Sequence, residues 1–271
     1  MPELPEVETI RRGLAPHLIG RTLCRAKVRQ ARLRRPVPQV LQDECIGASI
    51  LKVDRRGKYL LFYTERGTLI WHLGMSGSLR ILTDGGGAQK HDHIDLVFED
   101  GICLRYRDPR RFGLVEWTEA DPLEHPLLSH LGAEPLEDEF DGAYLWQRSR
   151  SRKIPVKNFI MDARVVVGVG NIYASEALFQ AGLRPERSAG SLTKHMAEKL
   201  ATAIKDVLTR AIEAGGTSLR DFVDGQGQPG YFARELKVYG RAGQPCPACG
   251  EPIDKIVVGQ RSSFFCPRCQ K

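Results

Sequence analysis

The sequence predicts an α+β multidomain protein: an N-terminal helix entering a β-sandwich, then a helical domain, then a C-terminal four-cysteine zinc finger. Three observations lead there. Apolar residues step by three and four at the very start and again after about residue 170. Between about 20 and 117 the pattern changes to short β-rich segments split by Gly, Asp and Pro. Four cysteines in two pairs close the chain.

The 271 residues suffice for two compact domains, or one domain with appendages. A hydrophobic content of 42% with 27% charged residues describes a chain that buries a substantial core. No apolar run approaches the roughly 20 residues of a membrane helix. The N-terminus is acidic and lacks a long apolar core, so no signal peptide is expected. The expectation is a cytosolic, monomeric protein with no membrane partner.

Element by element, Glu6 through Leu18 reads as a helix on Val7, Ile10, Leu14 and Leu18. Leu51–Val53, Tyr59–Tyr63, Leu69–His72, Ile94–Phe98 and Ile102–Tyr106 read as strands, and repeated short strands fit a sandwich or barrel-like domain. Asp84-Gly85-Gly86-Gly87 reads as a turn or loop without a phosphate-binding pattern. The acidic stretch with Pro122 and Pro126 reads as a linker. Helices are predicted over Asn171–Ala181 and Leu192–Ala214, the second on Leu200, Ile204, Val207, Leu208, Ala211 and Ile212.

Net charge is +7, which points weakly to a polyanionic partner. Its distribution says more. Residues 11–35 hold nine Arg or Lys and no acid, 119–141 hold eight acids and no Lys or Arg, and 148–157 are basic again. Basic segments flanking an acidic bridge suit a surface that tracks phosphates.

Cys246-Pro247-Ala248-Cys249, sixteen residues, then Cys266-Pro267-Arg268-Cys269 is a pair of C-x2-C knuckles. That spacing fits one tetrahedral Zn2+, and four thiolates leave no open position for water, so the zinc is structural. Cys24, Cys45 and Cys103 are expected to be reduced thiols.

The first residues, Met1-Pro2-Glu3-Leu4-Pro5-Glu6-Val7-Glu8, carry the chemistry. Removal of Met1 would leave Pro2 with a secondary amine whose pKa of roughly 7.7–8.0 makes it nucleophilic near neutrality. Such an amine forms an iminium ion on an aldehyde or sugar carbon, and Glu3 beside it is placed to shuttle protons. From these eight residues alone, a fraying terminus is the better reading.

That start, together with Arg55-Arg56-Gly57-Lys58-Tyr59-Leu60, His72-Leu73-Gly74-Met75-Ser76-Gly77, Asp108-Pro109-Arg110-Arg111-Phe112-Gly113, Gly168-Val169-Gly170-Asn171-Ile172-Tyr173 and the four-cysteine module, resembles the formamidopyrimidine-DNA glycosylase family. The likeness runs from Met1 to Lys271. It implies a catalytic β-sandwich over 1–118, a linker over 119–131, a helix–two-turn–helix domain over 132–233 and a zinc finger over 234–271. It implies a bifunctional glycosylase and abasic-site lyase on double-stranded DNA carrying 8-oxoguanine, formamidopyrimidines or abasic sites, in a bacterial cytoplasm and associated with the nucleoid.

By the same resemblance Pro2 is the nucleophile and Glu3 its proton shuttle. Lys58 and Arg261 hold phosphates during elimination, and His91, Arg110, Arg152 and Asn171 contact DNA. Met75, Arg110 and Phe112 form a wedge in the gap left by an everted nucleotide. Glu6 and Glu176 become candidate carboxylates around the amine, His72 and Lys157 softer phosphate contacts, and Gly215–Tyr239 the lesion-recognition loop. Two departures from the family pattern stand out: Gly57 where Ala is more frequent, and Arg152 where Lys is frequent. Read without the family, Lys58, Arg110 and Arg261 are solvated surface, Met75 and Phe112 core, and Asn171 a helix cap. Two alternatives stay open: an endonuclease-VIII-like enzyme for oxidised pyrimidines, and a non-catalytic zinc-ribbon DNA-binding protein. Leu4 and the Arg110–Phe112 arrangement favour the purine enzyme over the first, and an intact Pro2-Glu3 pair argues against the second.

Overall fold

A computed structural model describes residues 2–83, 86–217 and 232–271. They fall into two compact units, Met1–Ser129 with Ala214–Tyr231, and His130–Glu213 with Phe232–Lys271. Among the described residues no helix is long and apolar enough to cross a membrane.

In the first unit, helix α1 spans Leu4–Leu18 and buries Leu4, Val7, Ile10, Leu14 and Leu18. It starts two residues before the predicted Glu6 because Pro5 sits in the first turn, where a missing N–H costs nothing and the fixed φ favours the helix. Eight strands follow: β1 Leu23–Val28, β2 Ile50–Arg56, β3 Tyr59–Thr64, β4 Thr68–His72, β5 Ser78–Leu82, β6 Asp92–Phe98, β7 Cys103–Arg107 and β8 Leu114–Thr118. They make two antiparallel sheets, ordered β1-β6-β7-β5 and β2-β3-β4-β8.

Inward-facing residues of both sheets and the apolar stripe of α1 share one core. It includes Val53, Phe62, Trp71, Leu79, Ile94, Leu104, Tyr106 and Val115. The Trp71 and Tyr106 rings meet edge-on at 5.2 Å, a favoured aromatic geometry. The predicted sandwich is therefore present.

The second unit holds α2 Gly142–Ser149, α3 Val156–Met161, α4 Asn171–Ala181 and α5 Lys194–Glu213, then a hairpin of β9 Asp254–Val258 and β10 Arg261–Phe265. Asp141 caps α2 by accepting from the Tyr144 N–H at 2.7 Å. The apolar stripe of α5, from Ala197 to Ile212, is buried and packs against α2 and α4. A smaller core of Val238, Cys246, Ile253 and Cys266 lies beneath the hairpin.

Candidate active site

The N-terminal end of α1 is pinned by its own acids. Glu3 is the N-cap residue and forms a capping box with Glu6, whose Oε2 accepts from the Glu3 N–H at 2.8 Å. Glu6 Oε1 accepts from the Thr217 N–H, also at 2.8 Å. Both carboxylates are nearly closed to solvent, at 3% for Glu3 and 2% for Glu6, while Pro2 is half-buried. One buried carboxylate thus fixes the residue beside Pro2 and ties it to Thr217. Residues 218–231 of the predicted lesion loop and Met1 lie outside the described residues, as do Asp84 and Gly85.

One helical turn on, Glu8 accepts from Arg11 and Arg12 and pairs with Arg55 at 3.3 Å. Burial raises its pKa, but hydrogen bonds from Arg11 and Arg12 and the charges of Arg11 and Arg55 outweigh that and hold it at about 2. Arg55 also donates to the Gly57 carbonyl at 3.0 Å, supporting the β2–β3 turn that carries Lys58. Gly57 takes φ 57° there. A two-residue hairpin turn favours a glycine at this position, and an alanine would be strained in it. Lys58 is half-buried. His72, across the sheet from Tyr59, has its pKa lowered to about 4, by burial first and then by the charges of Lys58 and Arg34. It is neutral at pH 7, and its Nδ1 accepts from the Gly74 N–H at 3.0 Å. Its ring packs on that of Tyr59, with centroids 4.8 Å apart.

The loops after β4 and β7 carry the predicted wedge. Among the described residues, Met75 and Phe112 are large apolar side chains left exposed, at 39% and 44%. The Arg110 guanidinium lies 4.7 Å from the Phe112 ring centre, a stacked cation–π pair. The two loops touch through backbone. A Cβ on Gly74 would fall 2.4 Å from the Gly113 nitrogen, and one on Gly113 would fall 1.8 Å from the Tyr106 hydroxyl. Only glycine permits this approach.

Beneath them lies Asp108, fully buried. Its Oδ1 accepts from Ser76 Oγ at 2.7 Å and from the Arg110 N–H at 3.2 Å. Its Oδ2 accepts from the Tyr106 hydroxyl at 3.0 Å and the Gly113 N–H at 2.9 Å. Its backbone N–H donates to the His91 carbonyl, and its own carbonyl accepts from His93 Nε2 at 2.8 Å. Among the described residues, His91 and Arg111 are two of four non-glycine residues at positive φ, 76° and 55°. Such backbone costs of order 1 kcal/mol each and persists only where its surroundings impose it.

In the second unit, Asn171 opens α4 and donates through Nδ2 to the Ser262 carbonyl at 3.1 Å, so it seats the hairpin strand β10, whose first residue is Arg261. Lys157 differs from its reading as a phosphate contact. It is fully buried, donating from Nζ to the same carbonyl at 3.0 Å and to Ser263 Oγ at 2.7 Å. A buried cation needs such partners, and its burial keeps it off a surface ligand. Arg261 and Arg152 are exposed. Glu176 is buried, and accepts from three successive backbone N–H groups: Lys237 at 2.8 Å, Val238 at 3.0 Å and Tyr239 at 2.8 Å.

The sulfurs of Cys246, Cys249, Cys266 and Cys269 lie within 4.8 Å of one another. Cys246–Cys269 is 4.0 Å and Cys249–Cys266 3.5 Å, around the roughly 3.8 Å edge of a tetrahedron with 2.3 Å Zn–S bonds. The Ala248 and Cys269 N–H groups point at Cys246 and Cys266 Sγ at 3.4 Å, which suits thiolate acceptors. The residues fit one structural zinc. Cys45, by contrast, is a buried thiol pushed up to about 12, mainly by desolvation, and chemically quiet.

In the sequence, Asp108 carries no task of its own within its motif, and Lys157 reads as a surface residue. A short polar residue flanked by Tyr106, Pro109 and Gly113 was the available signal for the first. Nothing local marks the second.

Residues 1–115 match the family described as formamidopyrimidine-DNA glycosylase N-terminal domain, 131–223 the corresponding H2TH domain, and 243–271 the zinc finger found in FPG and IleRS. The chain is 56% identical over 270 residues to formamidopyrimidine-DNA glycosylase of Nitrosococcus oceani and 57% over 271 to that of Methylococcus capsulatus, covering all of each. Among solved structures it resembles the MutM (Fpg) protein of Thermus thermophilus, with TM-score 0.88 and 43% identity over 99% of this chain and 98% of that one. It also resembles the Lactococcus lactis Fpg bound to DNA containing an abasic site, with TM-score 0.92 and 35% identity over 99% of both chains. A third likeness is to MutM bound to carbocyclic 8-oxo-G DNA, with TM-score 0.91 and 36% identity over the whole of both. With all three of its regions matched and full-length relatives at this identity, the chain belongs to the formamidopyrimidine-DNA glycosylase family.

Proposed function

We propose that the chain is a bifunctional repair glycosylase and abasic-site lyase acting on double-stranded DNA with oxidised purines or abasic sites. The observation that carries the reading is the half-buried Pro2 with a buried carboxylate, Glu3, held rigidly beside it at the start of α1. Once Met1 is removed, the positive end of the helix dipole disfavours protonation of the Pro2 amine and leaves its lone pair free.

The amine attacks C1′, the C1′–N bond to the damaged base breaks, and the base leaves with a proton; the amine then loses its own proton and the C1′–O4′ bond breaks as O4′ takes up a proton, which opens the sugar to an iminium ion. The iminium so formed acidifies the neighbouring C2′ hydrogen. Its loss expels the 3′ phosphate, and a second elimination expels the 5′ phosphate, leaving a one-nucleoside gap with phosphorylated ends. Glu3 is the proton shuttle in these steps. Lys58 and Arg261 supply charged donors for the phosphates. His91, Arg110, Arg152 and Asn171 position the duplex, and Met75, Arg110 and Phe112 fill the vacated stack. Zinc, when bound, contributes folding energy to the module that presents Arg261. The functional division follows the ranges 1–118, 132–233 and 234–271, with 119–131 as linker. The enzyme acts as a single chain in the bacterial cytoplasm, at the nucleoid.

Borohydride trapping tests this. The 8-oxoguanine:cytosine duplex should be captured covalently, and an undamaged duplex should not. Capture confined to an oxidised-pyrimidine duplex would make the protein endonuclease-VIII-like. Lesion binding without any capture would make it a non-catalytic zinc-ribbon binder.

A further inference from the structure

The mechanism above uses Met75, Arg110, Phe112 and His91 but leaves unexplained how three separate loops hold them together. We infer that Asp108 is the positioning residue that joins these loops into one preassembled wedge. The inference rests on the wedge reading given under Proposed function.

The geometry is specific. Ser76 lies next to Met75, and its hydroxyl reaches Asp108 Oδ1 at 2.7 Å. The same oxygen takes the Arg110 N–H, and the other oxygen takes the Gly113 N–H next to Phe112. The Asp108 N–H holds the His91 carbonyl. The His93 ring fastens the Asp108 carbonyl, and since a carbonyl only accepts, His93 carries its proton on Nε2. Every residue predicted to meet DNA from the described loops of this unit is therefore one residue or less from a bond to Asp108, Lys58 excepted.

The four bonds to the carboxylate are charge-assisted, and those from Tyr106 and Gly113 are buried, the setting in which they are strongest. They oppose local strain: His91 and Arg111 sit at positive φ, and the Gly74–Gly113 backbones approach to a distance no side chain tolerates. A wedge that enters a base stack must not yield when pushed, and exposed Met and Phe side chains on independent loops would yield. Tied through one carboxylate, they move as a unit, and the Arg110 backbone stays registered to Phe112.

Ser76→Ala and Tyr106→Phe each remove one hydroxyl donor and leave the carboxylate and backbone bonds in place, so both variants should fold. Extrusion is followed in single turnover by a fluorescent base analogue beside 8-oxoguanine. Each variant should slow extrusion about tenfold, the loss of one hydrogen bond to a charged group. The preference for cytosine over adenine opposite the lesion should shrink. β-Elimination on a single-stranded abasic site, which needs no wedge, should proceed at the wild-type rate per trappable enzyme. Asp108→Asn, which turns a donor toward donors, should do all this more strongly.

Wild-type extrusion in both hydroxyl variants would overturn the inference. So would a loss of all activities in proportion to trappable enzyme, which marks simple unfolding. Met75→Ala and Phe112→Ala separate the two levels. If they slow extrusion while Ser76→Ala does not, Asp108 loses its role and the wedge stands. If they too extrude normally, the wedge reading itself has failed.

Discussion

Replacing Glu176 by glutamine keeps the side chain's size and removes its charge. In the native protein Oε1 accepts from Val238 and Tyr239, and Oε2 from Lys237. A glutamine amide can keep its oxygen on Val238 and Tyr239, but its NH2 must then face the Lys237 N–H. One partly buried donor, on the exposed Lys237, loses its acceptor, costing about 1 kcal/mol, and two charge-assisted bonds become neutral, costing about 1 kcal/mol each. The total is about 3 kcal/mol, concentrated on residues 237–239. Val238 belongs to the small core with Cys246 and Cys266, so the damage should spread to the zinc ligands. Amide hydrogen exchange at Lys237, Val238 and Tyr239 should accelerate at least a hundredfold, and a chromophoric chelator should strip zinc faster than from the wild type. Exchange at those three amides within threefold of the wild type, with unchanged zinc release, would refute the clamp.

Five further outcomes follow from the structure. Cys249→Ser should lose zinc and weaken DNA binding, read by metal analysis and titration with duplex, because structural zinc is folding energy. Arg261→Ala should keep zinc but flatten the slope of log affinity against log salt by about 0.9, the value of one phosphate contact. Arg110→Ala should narrow the cytosine-over-adenine preference in single-turnover excision by an amount worth about 1–3 kcal/mol, while Phe112→Ala should slow excision whatever base lies opposite. Acid should weaken the first unit through Glu8. Its folded pKa of about 2 lies below its ordinary 4.5, so its contribution is complete above 4.5 and vanishes as pH falls through 2. That shift corresponds to about 3 kcal/mol, reduced to about 1–2 by solvent around the partly exposed arginines. Melting between pH 5 and 2.5 should therefore fall more steeply in the wild type than in Glu8→Gln.

Much of the fold was legible because its signals are local. The Asn171–Ala181 helix stands where periodicity put it, and the predicted Leu192–Ala214 is observed as Lys194–Glu213. Thr193 accounts for the later start, accepting from the Met196 N–H as a cap. Helix α3 went unpredicted, having six residues and no room for a repeat. Strand β1, with Cys24, Arg25 and Lys27 outward, is too polar to read as a strand alone. The zinc site was plain, since its four ligands come as two short spacings. The polar supports were not. Asp108 reaches Ser76 across 32 positions, Glu6 reaches Thr217 across 211, and Lys157 reaches the hairpin across more than 100. Such bonds depend on which strands and helices become neighbours, and no spacing records that.

The central claim is that the Pro2 amine is the nucleophile, and the mass of the trapped peptide tests it most directly. After borohydride capture on the 8-oxoguanine:cytosine duplex and digestion, the adduct should lie on the N-terminal peptide, at Pro2, with Met1 absent. Protein that retains Met1 or carries a blocked terminus should capture nothing and release no base. An adduct on Lys58, or equal capture by blocked protein, would contradict the account.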